Sequence, residues 1–189
     1  MTTKEDLRII KTRHALRETL INLMQNKQFE EIKVADICNT ALINRSTFYA
    51  HYNDKYELLV DVIDYLKMNL LNDLDKNKNI VNTREYYIEL IKLILNHINE
   101  KNDIYTMVFL NNYNGILMDI LTDSVMKDIN KRIKNSNLKT NGIPIDIFIK
   151  FYLGGITSIG IEWLNNKNKY TEGEMLSYID SLIPKDIGI

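Results

Sequence analysis

Hydrophobic positions recur at helical rather than alternating spacing from one end of the chain to the other. In the stretch IKVADICNTA, Val34, Ile37, Cys38 and Ala41 share one helix face. A tight turn follows, and Phe48 and Tyr52, four apart, share the inner face of a second short helix that Asn44 is placed to cap. From Asp54 to about Leu74 a longer helix carries Leu58, Leu59, Val62, Tyr65 and Leu66, and Asp54 with Glu57 opens it as a D-x-x-E capping pair. After the polar break DKNKNIVNT, helical spacing resumes at Thr83 with Tyr87, Leu90, Ile91, Ile94, Leu95 and Ile98. A shorter segment, DIYTMVFLN, precedes a long helix from Tyr113 to Lys134, which NSNLKTNG ends. Pro144 suits the first turn of a helix Ile145 to Asn165, and Thr171 with Glu174 forms a capping box for a last helix reaching Leu182, stopped by Pro184. The pattern predicts about nine helices, with no internal repeat and no sustained strand alternation: an all-α protein.

The outer face of the short second helix carries the chemistry. Opposite Phe48 and Tyr52 stand Ser46, Thr47 and Ala50, flanked by Arg45, Tyr49 and His51. A helix entering a major groove about 12 Å wide needs small polar side chains outward and longer donors at its margins to reach phosphates. An ordinary helical hairpin with a solvated face shares the same periodicity.

Beyond periodicity, NRSTFYAHYNDKYELL resembles the end of the helix-turn-helix domain of the TetR family of bacterial transcriptional regulators, and TRHALRETLINLMQNKQFEEI resembles that family's long first helix and following loop. The resemblance runs from about Thr12 to Leu59. It implies base-edge or nearby phosphate contacts from Arg45, Ser46 and Thr47, and DNA-backbone contacts from Tyr49, His51 and Lys55, with Phe48 and Tyr52 in the core. Arg offers a fork matched to guanine or phosphate, and Lys55 joins the positive end of the next helix. Two positions depart from the family pattern. Lys33 stands where Thr usually opens the second helix, adding a charge able to touch phosphate. Leu42 stands where a turn Gly is common, which argues against a left-handed backbone there.

Composition narrows the alternatives. At 189 residues and 45% hydrophobic content the chain can bury a core unaided. The net charge of −1 is no nucleic-acid signature; residues 1 to 60 hold nine basic and eight acidic residues, so geometry must sort the charges. Lys4, Arg8, Lys11 and Arg13 are candidates for part of a basic surface, and a solvated helix face accounts for each equally well. The single cysteine, Cys38, reads as core, allows no internal disulfide and fits a reducing cytoplasm. The amphipathic, acid-bearing N-terminus is unlike a secretory signal, and the eleven uncharged residues between Lys150 and Glu162 fall short of the roughly 20 of a membrane span. His14, His51 and His97 are scattered, without metal-ligand spacing, and Gly154-Gly155 lies inside a helix rather than in a phosphate loop. Neither an enzyme, a metal nor a cofactor is expected.

The segment FIKFYLGGITSIGIEWLNN contains Gly154, Gly155 and Gly160, each weakening a helix by about 1 kcal/mol relative to Ala, so close backbone packing is expected in return. The resemblance implies a four-helix bundle between two copies, with Phe151, Gly155, Ser158, Ile159 and Trp163 at the dimer interface. A tight intrachain crossing is the alternative. It also implies an effector pocket, for a small molecule or a protein, for which Tyr65, Met68, Tyr87, Tyr105, Met107, Phe109, Tyr113 and Met118 are candidates; such residues also build ordinary cores. The expectation is therefore a DNA-binding domain over residues 1–54 and an effector-binding and dimerisation domain over 55–189: a cytoplasmic homodimeric repressor, without membrane contact, released from a pseudo-palindromic operator. A helical adaptor acting through protein contacts of its C-terminal domain is the other reading.

Overall fold

Every regular element among the described residues is helical. The structure is a computed structural model and describes residues 4–75, 83–100, 111–112, 115–133, 142–166 and 169–183. In chain order the helices are α1 (Lys4–Met24), α2 (Val34–Ala41), α3 (Arg45–Tyr49), α4 (Lys55–Asp75), α5 (Thr83–Glu100), α6 (Ile116–Ile133), α7 (Ile145–Asn165) and α8 (Glu172–Leu182), with a 3-10 turn at Phe29–Glu31. The all-α expectation holds, with a helix-turn-helix near the N-terminus and helices beyond it. Apart from Asn111, the segment DIYTMVFLN lies outside the described residues.

The chain divides into two compact units: Met1–Leu66 with Asp103–Ile120, and Lys67–Asn102 with Leu121–Ile189. In the first unit, Leu16, Leu20 and Met24 fall four apart on α1 and are buried with Phe29, Ile37, Phe48, Leu58 and Leu59. Burying each such side chain contributes about 1.5–3 kcal/mol against the entropy of ordering it. Asn112 joins this core as a polar member. Its Oδ1 accepts the Phe29 N–H at 2.6 Å and its Nδ2 donates to the Met24 carbonyl at 3.3 Å. Asn111 donates likewise to the Gln25 carbonyl at 2.7 Å, so this short segment closes the end of α1 and the loop after it.

Helix starts follow local side-chain chemistry. The Asp54 carboxylate accepts the N–H groups of Tyr56 and Glu57, both at 2.9 Å, and Glu57 reaches back to the Asn53 N–H at 2.7 Å. The expected pair therefore caps α4, closing on Asn53 rather than on Asp54 itself. At α8 the Thr171–Glu174 box forms, with Glu174 accepting the Thr171 N–H at 2.8 Å and Thr171 Oγ1 accepting the Glu174 N–H at 3.3 Å. Pro144 stands at the N-cap of α7, one position before the first turn expected for it.

In the second unit Ile91 and Leu95 of α5 are buried, as are Trp163 and Leu164 of α7 and Met175 and Ile179 of α8. The Arg84 guanidinium donates to the Asp180 carbonyl at 2.7 Å and pairs with the Asp180 carboxylate at 2.8 Å, a cation placed at the carbonyl end of α8. Helix α7 is apolar over Asp146–Asn165, enough by length and composition alone to cross a membrane, a measure that the core helix of a water-soluble protein also meets. Among the described residues, 12% of its apolar window is buried.

Candidate nucleic-acid interface

Helix α2 ends on a backbone device that the residue types hid. Leu42 has φ 55° and ψ 39°, the left-handed conformation, contrary to the expectation for a non-glycine residue. Its N–H bonds the Asn39 carbonyl at 3.4 Å, and the next N–H, of Ile43, bonds the Cys38 carbonyl at 3.0 Å. This pair of bonds is a Schellman cap, and it requires positive φ at Leu42 whatever side chain stands there. The cost for an L-residue is about 1–2 kcal/mol. The Leu42 side chain gains nothing from burial to offset it, being 93% exposed.

The turn delivers the chain to Asn44, the N-cap of α3. Asn44 occupies the capping position, yet its side chain makes no capping hydrogen bond, which corrects the role expected of it. At the start of α2, Lys33 likewise offers no side-chain cap, since an ammonium cannot accept a hydrogen bond. The Asp36 carboxylate substitutes from the third helical position, accepting the Lys33 N–H at 2.9 Å and leaving the Lys33 side chain exposed.

On α3 the inner and outer faces separate as their polarity demands. Phe48 is fully buried, and Tyr52, just past the helix, is buried against it with ring centroids 5.8 Å apart. Arg45, Ser46, Tyr49 and Ala50 are exposed, while Thr47 and His51 are half-buried. The Tyr49 ring is braced edge-on by Phe48 at 5.4 Å, which holds its hydroxyl end outward. Arg45 lies close enough to Cys38 to oppose the rise that burial imposes on its thiol. That rise keeps Cys38 a neutral core residue, as expected.

Lys55 departs from the others. Its ammonium donates to three carbonyls, of Phe29 at 2.8 Å, Glu30 at 2.9 Å and Ile32 at 2.8 Å. It also lies 4.6 Å from the Phe29 ring centroid. Three acceptors satisfy all three N–H groups of a lysine. Burial pushes this ammonium below its ordinary range, with Glu30 opposing. In this geometry Lys55 organises the loop before α2, and the DNA-backbone contact implied for it has no free donor. Arg13, a candidate for the basic surface, is likewise occupied: it pairs with Asp61 at 2.6 Å and donates to the Tyr52 hydroxyl at 3.2 Å. Arg8, Lys11 and His14 remain exposed on α1.

Two short helices, a capped turn and an outward polar face on the second are the parts of a DNA reader. A TetR-family model described as the transcriptional regulator C-terminal region matches residues 85–185, more than half of the chain. The chain belongs to the TetR family of transcriptional regulators. Among curated relatives it is 39% identical over 59 residues to YxbF, an HTH-type transcriptional regulator of Bacillus subtilis (strain 168), covering 31% of this chain and 16% of that protein. It is 29% identical over 129 residues to DhaS, the dhaKLM operon transcriptional activator of Lactococcus lactis subsp. lactis (strain IL1403), covering 64% of each. The matched stretches thus span less than two thirds of either relative's length. The fold is similar to that of a TetR transcriptional regulator from Streptococcus agalactiae 2603V, with a TM-score of 0.69 at 24% identity, over 96% of this chain and 98% of that one.

For this TetR-family regulator, the residues considered for an effector pocket are described only in part. Tyr65 and Met118 are half-buried in the first unit, and the Arg17 guanidinium stacks 4.2 Å from the Tyr65 ring centroid. Met68 belongs to the second unit and is exposed, unlike a pocket-lining side chain. The side chain of Tyr87, and Tyr105, Met107, Phe109 and Tyr113 altogether, lie outside the described residues.

The residues considered for the dimer interface divide by exposure. Phe151 is 73% exposed, Gly155 and Ser158 are exposed and Ile159 is half-buried. Trp163 is 3% exposed, and its indole N–H donates to the Tyr170 carbonyl at 3.0 Å. That corrects its assignment: Trp163 serves its own subunit's core, because a buried indole needs its partner nearby. A Cβ built on Gly154, Gly155 or Gly160 meets nothing within 4 Å, so among the described residues the tight intrachain crossing is not found at these glycines. Sequence reasoning missed Ile147, which extends the same exposed face, and Tyr178 and Leu182, exposed four apart on α8. Their i, i+4 apolar spacing was the available signal.

Proposed function

We propose that this protein is a homodimeric repressor that binds a pseudo-palindromic operator with α3 in successive major grooves. The observation that carries the reading is the polarity of α3: Arg45, Ser46 and Tyr49 face outward from a helix anchored by the buried Phe48 and Tyr52. Arg45, Ser46 and Thr47 read base edges or the phosphates beside them. Tyr49, His51 and Lys33 contact the DNA backbone, while Lys55 acts indirectly by holding the loop before α2. Two heads would lie one helical turn, about 34–36 Å, apart or slightly more. Residues 1–54 form the reading domain and 55–189 the effector-binding and dimerisation domain, working in the cytoplasm where the DNA is.

The exposed face of Ile147, Phe151, Gly155 and Ser158 supports dimerisation through α7, since a helix with this composition is otherwise left facing water. An effector, small molecule or protein, binds the C-terminal domain and releases DNA by favouring one of two dimer shapes, with α4 carrying the change. One specific observation favours the opposite sign of regulation: the relative DhaS is named as an operon activator.

The test is selection of bound duplexes from a randomised library with purified protein, at several salt concentrations because phosphate contacts make affinity salt-dependent. A recovered palindrome supports the reading, and failure to enrich any sequence overturns it. Tyr49→Ala should weaken binding to selected and scrambled duplexes alike. Thr47→Ala should change base preference more than affinity; equal loss on both duplexes would remove it from base reading.

A further inference from the structure

Helix α3 is five residues long, too short to hold its own direction in water, and its N-cap side chain contributes no hydrogen bond. Something outside the helix must aim it. Phe48 anchors it by burial, which fixes depth but not rotation. Rotation needs a directional bond, and one is present at the far end of the helix. The Tyr52 hydroxyl donates to Asp61 Oδ2 of α4 at 2.6 Å and accepts from Arg13 Nε of α1 at 3.2 Å. Asp61 is itself held from both sides, by Arg13 Nη2 on Oδ1 at 2.6 Å and by Arg17 Nη1 on Oδ2 at 3.3 Å. Three donors from two elements thus converge on one carboxylate.

Resting on the regulator reading above, we propose that Tyr52 and Asp61 form a clamp that sets the angle of the reading helix. Asp61 is then a positioning residue for DNA recognition although it touches no DNA. The Arg13 arm, 44% exposed, contributes little as an ion pair, while Arg17, 14% exposed, holds the Asp61 carboxylate from the buried side. The core does not require the hydroxyl. A phenylalanine at position 52 would fill the same volume without a buried polar atom to satisfy. What the hydroxyl adds is direction, through a short, charge-assisted hydrogen bond whose geometry is narrow. Because burial and the bond to Asp61 hold the phenol in its neutral form, with Arg13 opposing, the donor is present at every physiological pH.

The test uses the duplex that the wild-type protein selects from a randomised library and a scrambled duplex of the same length. Tyr52→Phe should lose about tenfold in affinity for the selected duplex and less than about twofold for the scrambled one, with an unchanged salt slope because no phosphate contact is removed. Asp61→Asn, which keeps shape but loses charge, should show the same asymmetry, and the double variant should be no worse than the poorer single. Equal losses on both duplexes, no loss on the selected one, or additive losses in the double variant would overturn the clamp while leaving the regulator reading intact. Should Tyr52→Phe lose its helical circular dichroism, the same ratio measured for Asp61→Asn alone decides. If the wild type selects no duplex, the regulator reading fails, and the clamp with it.

Discussion

Two surfaces of this protein are exposed among the described residues, and they are built by opposite means. On α3 the exposed face carries the short Ser46 with the longer Arg45 and Tyr49 beside it, and the helix is held from behind by buried aromatic rings, a Schellman cap and a hydrogen bond to Asp61. Along α7 the largest exposed groups are apolar, Ile147 and Phe151, on a 21-residue helix whose glycines meet no neighbour among the described residues. A polar face can wait in water for a charged ligand at no great cost. An apolar one is costly until another apolar surface covers it. The first therefore suits a site that binds and releases, and the second an association that persists.

The sharpest break of this comparison is Gly155→Leu. Among the described residues a Cβ at this position meets nothing within 4 Å, so the subunit's own fold should persist or gain slightly from helix propensity. A second copy would be held off, and sedimentation at micromolar concentration should show monomers. A persistent dimer would mean that α7 is not the interface. Next in size, Lys55→Met removes the donor from three carbonyls and should cost about 2 kcal/mol in urea unfolding, the scale of hydrogen bonds to a charged group. A loss seen only in DNA affinity, with unfolding unchanged, would return Lys55 to the phosphate backbone.

A pH titration sharpens the same region. Tyr52 is pushed up to about 12, first by burial and then by its bond to Asp61, with Arg13 opposing. A tyrosine free in the unfolded chain ionises near about 10. Between these values the folded state holds a proton that the unfolded state has lost. Stability from Tyr52 is therefore complete below the lower value and falls as pH rises through the upper one. Tyr52→Phe should show a flatter decline of stability over this range, and a tyrosinate absorbance curve without the late step. Smallest of all, Leu42→Gly relieves a left-handed residue with an exposed side chain and should raise stability by up to about 1 kcal/mol, read as a higher unfolding midpoint.

Much of this was legible in the residues alone. Helical spacing marked α2, α4, α5 and the inner face of α3, because burial of one face imposes a 3.6-residue period on any helix that packs, while Pro144 and the Thr171–Glu174 pair marked the starts of α7 and α8. Phe48 and Tyr52 were readable as anchors for the same reason. The capping box at Thr171 was readable because both of its partners are local, three residues apart. What lay beyond reach were the choices made between groups far apart in the chain. Nothing near Lys55 announces three carbonyls 23 to 26 residues away, or near Tyr52 the carboxylate of Asp61 and the guanidinium of Arg13. Trp163 looked like an anchor for a partner and proved an anchor for its own subunit, because a large aromatic suits either role until its neighbours are known. Leu42 shows the reverse order of control, where the backbone bonds that close α2 override the preference of the side chain. Local periodicity and capping thus determined the helices and their faces, and the tertiary structure alone decided which polar groups already have partners.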